Sequence, residues 1–223
     1  LGALGVTFGY VVAMDSPSGR PPGSFHWGST LWHELSHVFV LEMTAHQAPR
    51  WLSEGIAVYE ELVASEGWGD RLTPDVIRAI KDKKLLPVTE LDRGFVRPRY
   101  PAQVPVSYWQ AGTICELIAQ KWGFPKLLDM LRAYASGRST EQVVREQLGL
   151  APADFDKQFQ DFVQQRTAKV VSSFDSEWRK LMESALKFAK DKKFDLLMDP
   201  ARRARDIYPD YVEAGSPYEL LAE

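Results

Sequence analysis

The chain has 223 residues, 45% of them apolar and 26% charged, with a formal net charge of −3. This is the composition of a globular protein that can bury a real core in one or two domains. The acidic balance and the lack of a clustered basic run exclude a nucleic-acid surface, and no apolar run is long enough to span a bilayer. Cys115 is the single cysteine, so no internal disulfide forms and the compartment is not legible. The chain opens on Leu1-Gly2-Ala3-Leu4-Gly5 without a signal peptide and stops inside a helical pattern, as an excised segment would.

Residues 6–14, Val6-Thr7-Phe8-Gly9-Tyr10-Val11-Val12-Ala13-Met14, are β-branched and aromatic and predict the one convincing strand. It is either a plain core strand or the flank of a cleft, where its edge would pair with extended substrate. The stretch 16–23, with three prolines and two glycines, predicts a loop.

Next comes Leu31-Trp32-His33-Glu34-Leu35-Ser36-His37-Val38. A helix over about 29–43 puts His33 and His37 one turn apart on the same face. Two imidazoles so placed can share one metal ion, and Glu34 beside them can reach a water on that ion. Apolar residues surround this helix, which predicts burial at a domain centre. There the two histidines and the glutamate are either satisfied core groups or metal ligands, and without a metal or matched partners their burial is costly. A catalytic zinc needs a third protein ligand and one open position. Glu54 is the candidate, with sixteen residues between it and His37, at the start of a second helix expected over 53–64 with Ser53 as its N-cap. On its own Glu54 is equally a first-turn carboxylate favoured by the helix dipole. Glu61, seven residues on, shares its face and is either a solvated charge or an acceptor for a histidine ring N–H. Glu60 reads as solvated, and His26 and His46 as ordinary loop residues.

The pair His33-Glu34-Leu35-Ser36-His37 and Trp51-Leu52-Ser53-Glu54-Gly55-Ile56-Ala57 resembles the gluzincin metallopeptidases, in particular the peptidase MA-like domains and the aminopeptidase N group. The two motifs stand a couple of residues closer than in the aminopeptidases. The resemblance implies a thermolysin-like zinc peptidase domain holding one Zn2+ per chain. His33, His37 and Glu54 would be its ligands, Glu34 the general base, and a peptide or protein the substrate. It also implies a glutamate at Glu61, after Ala57-Val58-Tyr59. Ser107-Tyr108-Trp109-Gln110-Ala111-Gly112 resembles the aminopeptidases' S-Y-x-K-G stretch, with Gln110 in place of the lysine, and makes Tyr108 the donor to the oxyanion. A core tyrosine accounts for Tyr108 equally well. Nothing in residues 1–14 matches the aminopeptidases' G-x-M-E-N segment.

Between 67 and 103 the chain reads as loop, broken by a helix entered at Thr73-Pro74-Asp75 with proline at its first position. The stretch 93–101, with Arg93, Arg97 and Arg99, reads as a mobile basic loop. Helices follow over 107–122, 125–135, 140–148 (closed by Gly149) and 154–165, the last with a core stripe of Phe155, Phe159, Phe162 and Val163. A β-branched and serine-rich stretch at 169–174 predicts a boundary between a peptidase domain, 1–172, and a helical tail, 173–223. The tail's helices, expected over 177–190, 194–207 and from Pro217, carry Ala201, Ala204 and Pro209 in a rhythm that resembles tetratricopeptide repeats; an unrelated helical hairpin fits nearly as well. Such repeats would offer a surface for a protein partner, and a peptidase-like domain without activity would serve as a binding module. Pro200 should kink or restart the second of these helices. The expected class is mainly α with a small β portion.

Overall fold

The computed structural model describes residues 4–19, 21, 25–65 and 67–222. Of the loop expected over 16–23, Pro17–Gly19 forms a 3-10 turn, while Arg20 and residues 22–23 lie outside the described residues. Among the described residues the fold is mainly helical with one two-stranded sheet. It divides into two compact units, Leu1–Asp70 with Leu85–Gln160, and Arg71–Lys84 with Asp161–Glu223. The expected division at residue 172 differs from this one, and 169–173 lies inside a continuous helix.

In the first unit the single strand expected over 6–14 is instead a hairpin. Strands β1 (Gly5–Phe8) and β2 (Val11–Met14) pair antiparallel, with Thr7 opposite Val12. Gly9, at φ +57, makes the two-residue turn affordable, because left-handed backbone carries no Cβ penalty there. Helix α1 (Trp27–Thr44) follows, its N-terminus capped by His26 Nδ1, which accepts from the Ser29 N–H at 3.1 Å.

Helix α2 (Arg50–Ala64) begins three residues before the expected start. Pro49 holds the N-cap position, and the Trp51 N–H, in the first turn and without an intrahelical acceptor, donates to Asp92 Oδ1 at 2.7 Å. Ser53 is therefore not the cap, and Glu54 lies beyond the first turn, so the helix-dipole account of Glu54 does not apply. Part of the expected basic loop is also helical, as α4 (Asp92–Val96). Helix α3 (Pro74–Lys81) belongs to the second unit and is capped by Thr73 with Pro74 at its first position.

The centre of the first unit is the packing of α2 on α5 (Gln103–Trp122). A Cβ on Gly55 would come 2.7 Å from the Ala111 carbonyl oxygen, and one on Gly112 would come 2.5 Å from Val58 Cγ1. Glycine at these two sites lets the helix backbones approach closely. Trp51, Leu52 and Ala57 of α2 and Ile114 and Ile118 of α5 are buried. Helices α6 (Phe124–Ala135) and α7 (Thr140–Leu148) complete the unit, with Gly149 in the left-handed conformation that ends α7. Helix α1 packs on both strands, α2 and α6. It is not buried all round as expected. Trp32, Leu35, Phe39 and Met43, spaced three to four residues apart, form an exposed stripe, and the histidines occupy another face.

Helix α8 (Pro152–Ser173) runs past the expected end at 165 and continues through a π-helical turn, Phe174–Trp178, into α9 (Arg179–Lys190). In the second unit α9 packs on α10 (Phe194–Ile207) and α11 (Pro217–Ala222). Helix α10 continues through Pro200, and Ala201 and Ala204 are fully buried. The ring of Tyr208 meets Phe174 and Trp178, and its hydroxyl donates to the Leu72 carbonyl. Among the described residues no helix is long and apolar enough to cross a membrane.

Candidate metal centre

Helix geometry places His33 and His37 on one face of α1, and the crossing of α1 with α2 brings Glu54 between them. Glu54 Oε2 lies 3.3 Å from His33 Nε2 and 3.3 Å from His37 Nε2. The two rings meet edge to face with centroids 4.8 Å apart. One donor atom from each of the three residues falls within 4.8 Å of the others, and among the described residues no other group of three or more metal-ligating side chains does so.

Each ring is fixed through its far nitrogen. His37 Nδ1 is 2.9 Å from Ser53 Oγ, and His33 Nδ1 is 3.5 Å from Glu61 Oε2. Glu61 is itself held by Ser29, whose hydroxyl donates to Oε1 at 2.8 Å. Both Nε2 atoms therefore face Glu54 while both Nδ1 atoms face an anchoring group, the arrangement that orients metal-ligating histidines. Of the two sequence readings of Glu61, the solvated one fails, since the residue is buried.

The donor set suits zinc. On a tetrahedral zinc with metal–donor distances of about 2.0–2.1 Å, two donors stand about 3.3–3.4 Å apart, the spacing seen twice here. The histidines and carboxylates perturb one another. Burial opposes charge on His33, yet its contacts with Glu54 and Glu61 outweigh burial and lift it to about 10. Burial would raise the Glu54 carboxyl, but His33 and His37 hold it far below the usual carboxylate range.

Glu34 is buried on the side of α1 that faces the hairpin, and its Oε2 accepts from Thr7 Oγ1 at 2.6 Å. Tyr108, on α5, lies against His33 with ring centroids 6.3 Å apart and packs edge to face on Phe95. Burial and the charge of Glu54 raise its phenol to about 12, against the opposing pull of Arg50. Gln110, at the position of the aminopeptidases' lysine, is a structural bracket here. Its side chain accepts from the Leu86 N–H at 3.0 Å and donates to the Leu86 carbonyl at 2.6 Å.

Two site residues went unread in the sequence. Arg50 Nε donates to Glu54 Oε1 at 3.2 Å while its guanidinium lies over the Phe95 ring. Asp70 has a buried Oδ2 without a hydrogen-bond partner, and burial followed by the charge of Glu61 raises its carboxyl to about 7. Arg50 follows from the helical spacing of four to Glu54; nothing local marks Asp70. The basic stretch 93–101 gives no residue to the metal group, and Arg93 pairs with Glu90 at 2.6 Å.

A mainly helical unit with a two-histidine, one-glutamate cluster on crossed helices is the architecture of a metallopeptidase-like domain. The family model described as the Peptidase MA superfamily matches residues 11–165, and the chain belongs to that superfamily. No curated protein and no solved structure matches the chain.

Proposed function

We propose that the protein is a zinc-dependent peptidase, with His33, His37 and Glu54 as the protein ligands of one zinc ion. The observation that carries this reading is the placement of Glu54 Oε2 at 3.3 Å from both Nε2 atoms, with each ring's Nδ1 anchored by another side chain. Superfamily membership supports it. Zinc in such a site supplies Lewis acidity, polarising a scissile carbonyl and acidifying water.

The remaining chemistry falls to the chain. Glu34, next to His33 in sequence and outside the ligand set, takes the proton of the attacking water and returns it to the leaving amine. Tyr108, with its phenol near 12, stays protonated through the neutral range and donates to the oxygen on which negative charge develops. Arg50 and Glu61 hold Glu54 and His33 in place.

The test is cleavage of an unfolded protein such as casein by zinc-loaded protein, compared with Glu34→Gln. The expected result is cleavage by the wild type and a loss of about 10²–10⁴-fold in the variant with zinc retained. A wild type that holds one zinc and cuts neither casein nor short peptides would overturn the peptidase reading.

A further inference from the structure

Strand β1 meets Glu34 at two alternate positions. At the first, Gly5, a Cβ would stand 2.7 Å from Glu34 Cγ and 2.8 Å from Oε1. At the second, Thr7, the hydroxyl lies 2.6 Å from Glu34 Oε2 and 2.9 Å from the main-chain oxygen of the same residue. Residues two apart on a strand point to the same face, so one face of β1 touches both ends of one side chain. The missing Cβ of Gly5 leaves room for the carboxylate, and the Thr7 hydroxyl fixes one of its oxygens against its own helix. The pairing of Thr7 with Val12 sets the register that holds both positions on that face.

We infer that Gly5 and Thr7 form a clamp that holds the Glu34 carboxylate in one orientation, Thr7 acting as a positioning residue for proton transfer. This rests on the peptidase reading for its consequence, and on the contacts alone for the clamp. A carboxylate free to rotate about its last two torsions samples many directions, of which few reach a water at the metal. A short hydrogen bond to one carboxyl oxygen favours one of them. Misplacing a reacting group by about 1 Å costs on the order of 10²-fold in rate. Thr7 touches neither metal nor substrate in this account, so its loss should lower turnover and leave substrate binding alone.

The variants are Thr7→Val, which keeps the β-branched shape without the hydroxyl, Thr7→Ser, which restores the hydroxyl, and Gly5→Ala, which fills the space. With zinc content verified for each, the expected kinetics on a peptide substrate are a fall in kcat of about 10- to 100-fold in Thr7→Val with KM within about twofold. Gly5→Ala should behave likewise, and Thr7→Ser should return to within a few-fold of wild type. A double-mutant cycle in urea between Thr7→Val and Glu34→Ala reads the contact without any catalysis. The folding constant should fall about tenfold for Thr7→Val in the wild type and clearly less in the Glu34→Ala background, where only the main-chain oxygen of residue 34 remains as an acceptor. Multiplicative losses in the cycle would overturn the clamp, whether or not the protein cuts peptides. Coupling in the cycle with wild-type kcat in Thr7→Val would overturn the positioning role. An inactive wild type would remove the peptidase reading and leave the cycle to decide the clamp.

Discussion

Ser53 Oγ lies 2.9 Å from His37 Nδ1, so the residue immediately before one proposed zinc ligand fixes the ring of another. The contact joins α2 to α1 at the point where the metal would sit. Were His37 Nε2 to bond a metal, its Nδ1 would carry the proton, and the Ser53 hydroxyl oxygen stands where it can accept that proton.

Removing that acceptor should weaken zinc binding without removing a ligand. Ser53→Ala is expected to lower zinc affinity about 10-fold, within the range of about 10–100-fold for such supporting groups. Competition with a chromophoric chelator measures it.

Zinc binding should also release a proton. His33 in the metal-free protein is raised from 6.5 to about 10, so its charge stabilises that form below about pH 6.5, and the contribution is lost as pH rises through about 10. A metal needs the neutral imidazole, so binding at pH 7–8 displaces about one proton from His33. Affinity should rise about tenfold per pH unit across that range. Calorimetry in two buffers of different ionisation enthalpy counts the proton, and a count of zero at pH 7.5 would contradict the ion-paired state of His33.

Asp70 gives a dependence of opposite origin. Its carboxyl titrates near 7 in the metal-free fold against 3.8 ordinarily, so the folded state keeps a proton that the unfolded state has lost. Stability should therefore fall as pH rises from about 4 to about 7 and stay lowered above that. Asp70→Asn is expected to flatten this limb, read as urea midpoints of the metal-free variant and wild type at pH 5 and pH 8.

The glycine of the Trp51-Leu52-Ser53-Glu54-Gly55 motif has a packing role. Alanine there would gain about 1 kcal/mol of helix propensity. Its Cβ, however, would stand 2.7 Å from the Ala111 carbonyl and 2.9 Å from Cys115 Sγ, and main chain cannot yield cheaply. Overpacking of this kind costs about 1–3 kcal/mol, and the displacement moves α2, which carries Glu54. Gly55→Ala is expected to be destabilised in urea and to bind zinc more weakly.

The candidate site was legible in the sequence where it depends on local spacing. His33 and His37 fall on one helix face by periodicity, and Glu54 and Glu61 share another for the same reason. What spacing could not show was the chemistry contributed from a distance. Ser53 looked like an N-cap because serine favours that position, but the Asp92 side chain meets the Trp51 N–H at the true start of α2 and leaves Ser53 for His37. The strand expected over 6–14 is a hairpin because Gly9 takes up positive φ in the middle of the β-branched and aromatic stretch. The helix through 169–174 overrode weak local propensities; buried Phe174 and Trp178 stack on each other and meet Tyr208 there. Thr7 and Asp70 reach the site only through tertiary contact, so no pattern within either segment marks them.

Whether His33, His37 and Glu54 hold one zinc ion is decided by elemental analysis after exhaustive dialysis. The wild type, His33→Ala, Glu54→Gln and Glu34→Gln should be measured side by side. The expected result is about one zinc per chain in the wild type and in Glu34→Gln, and loss of zinc in His33→Ala and Glu54→Gln. A wild type that takes up no zinc even after incubation with the ion, or a Glu54→Gln variant that keeps it at full stoichiometry, would contradict the ligand assignment.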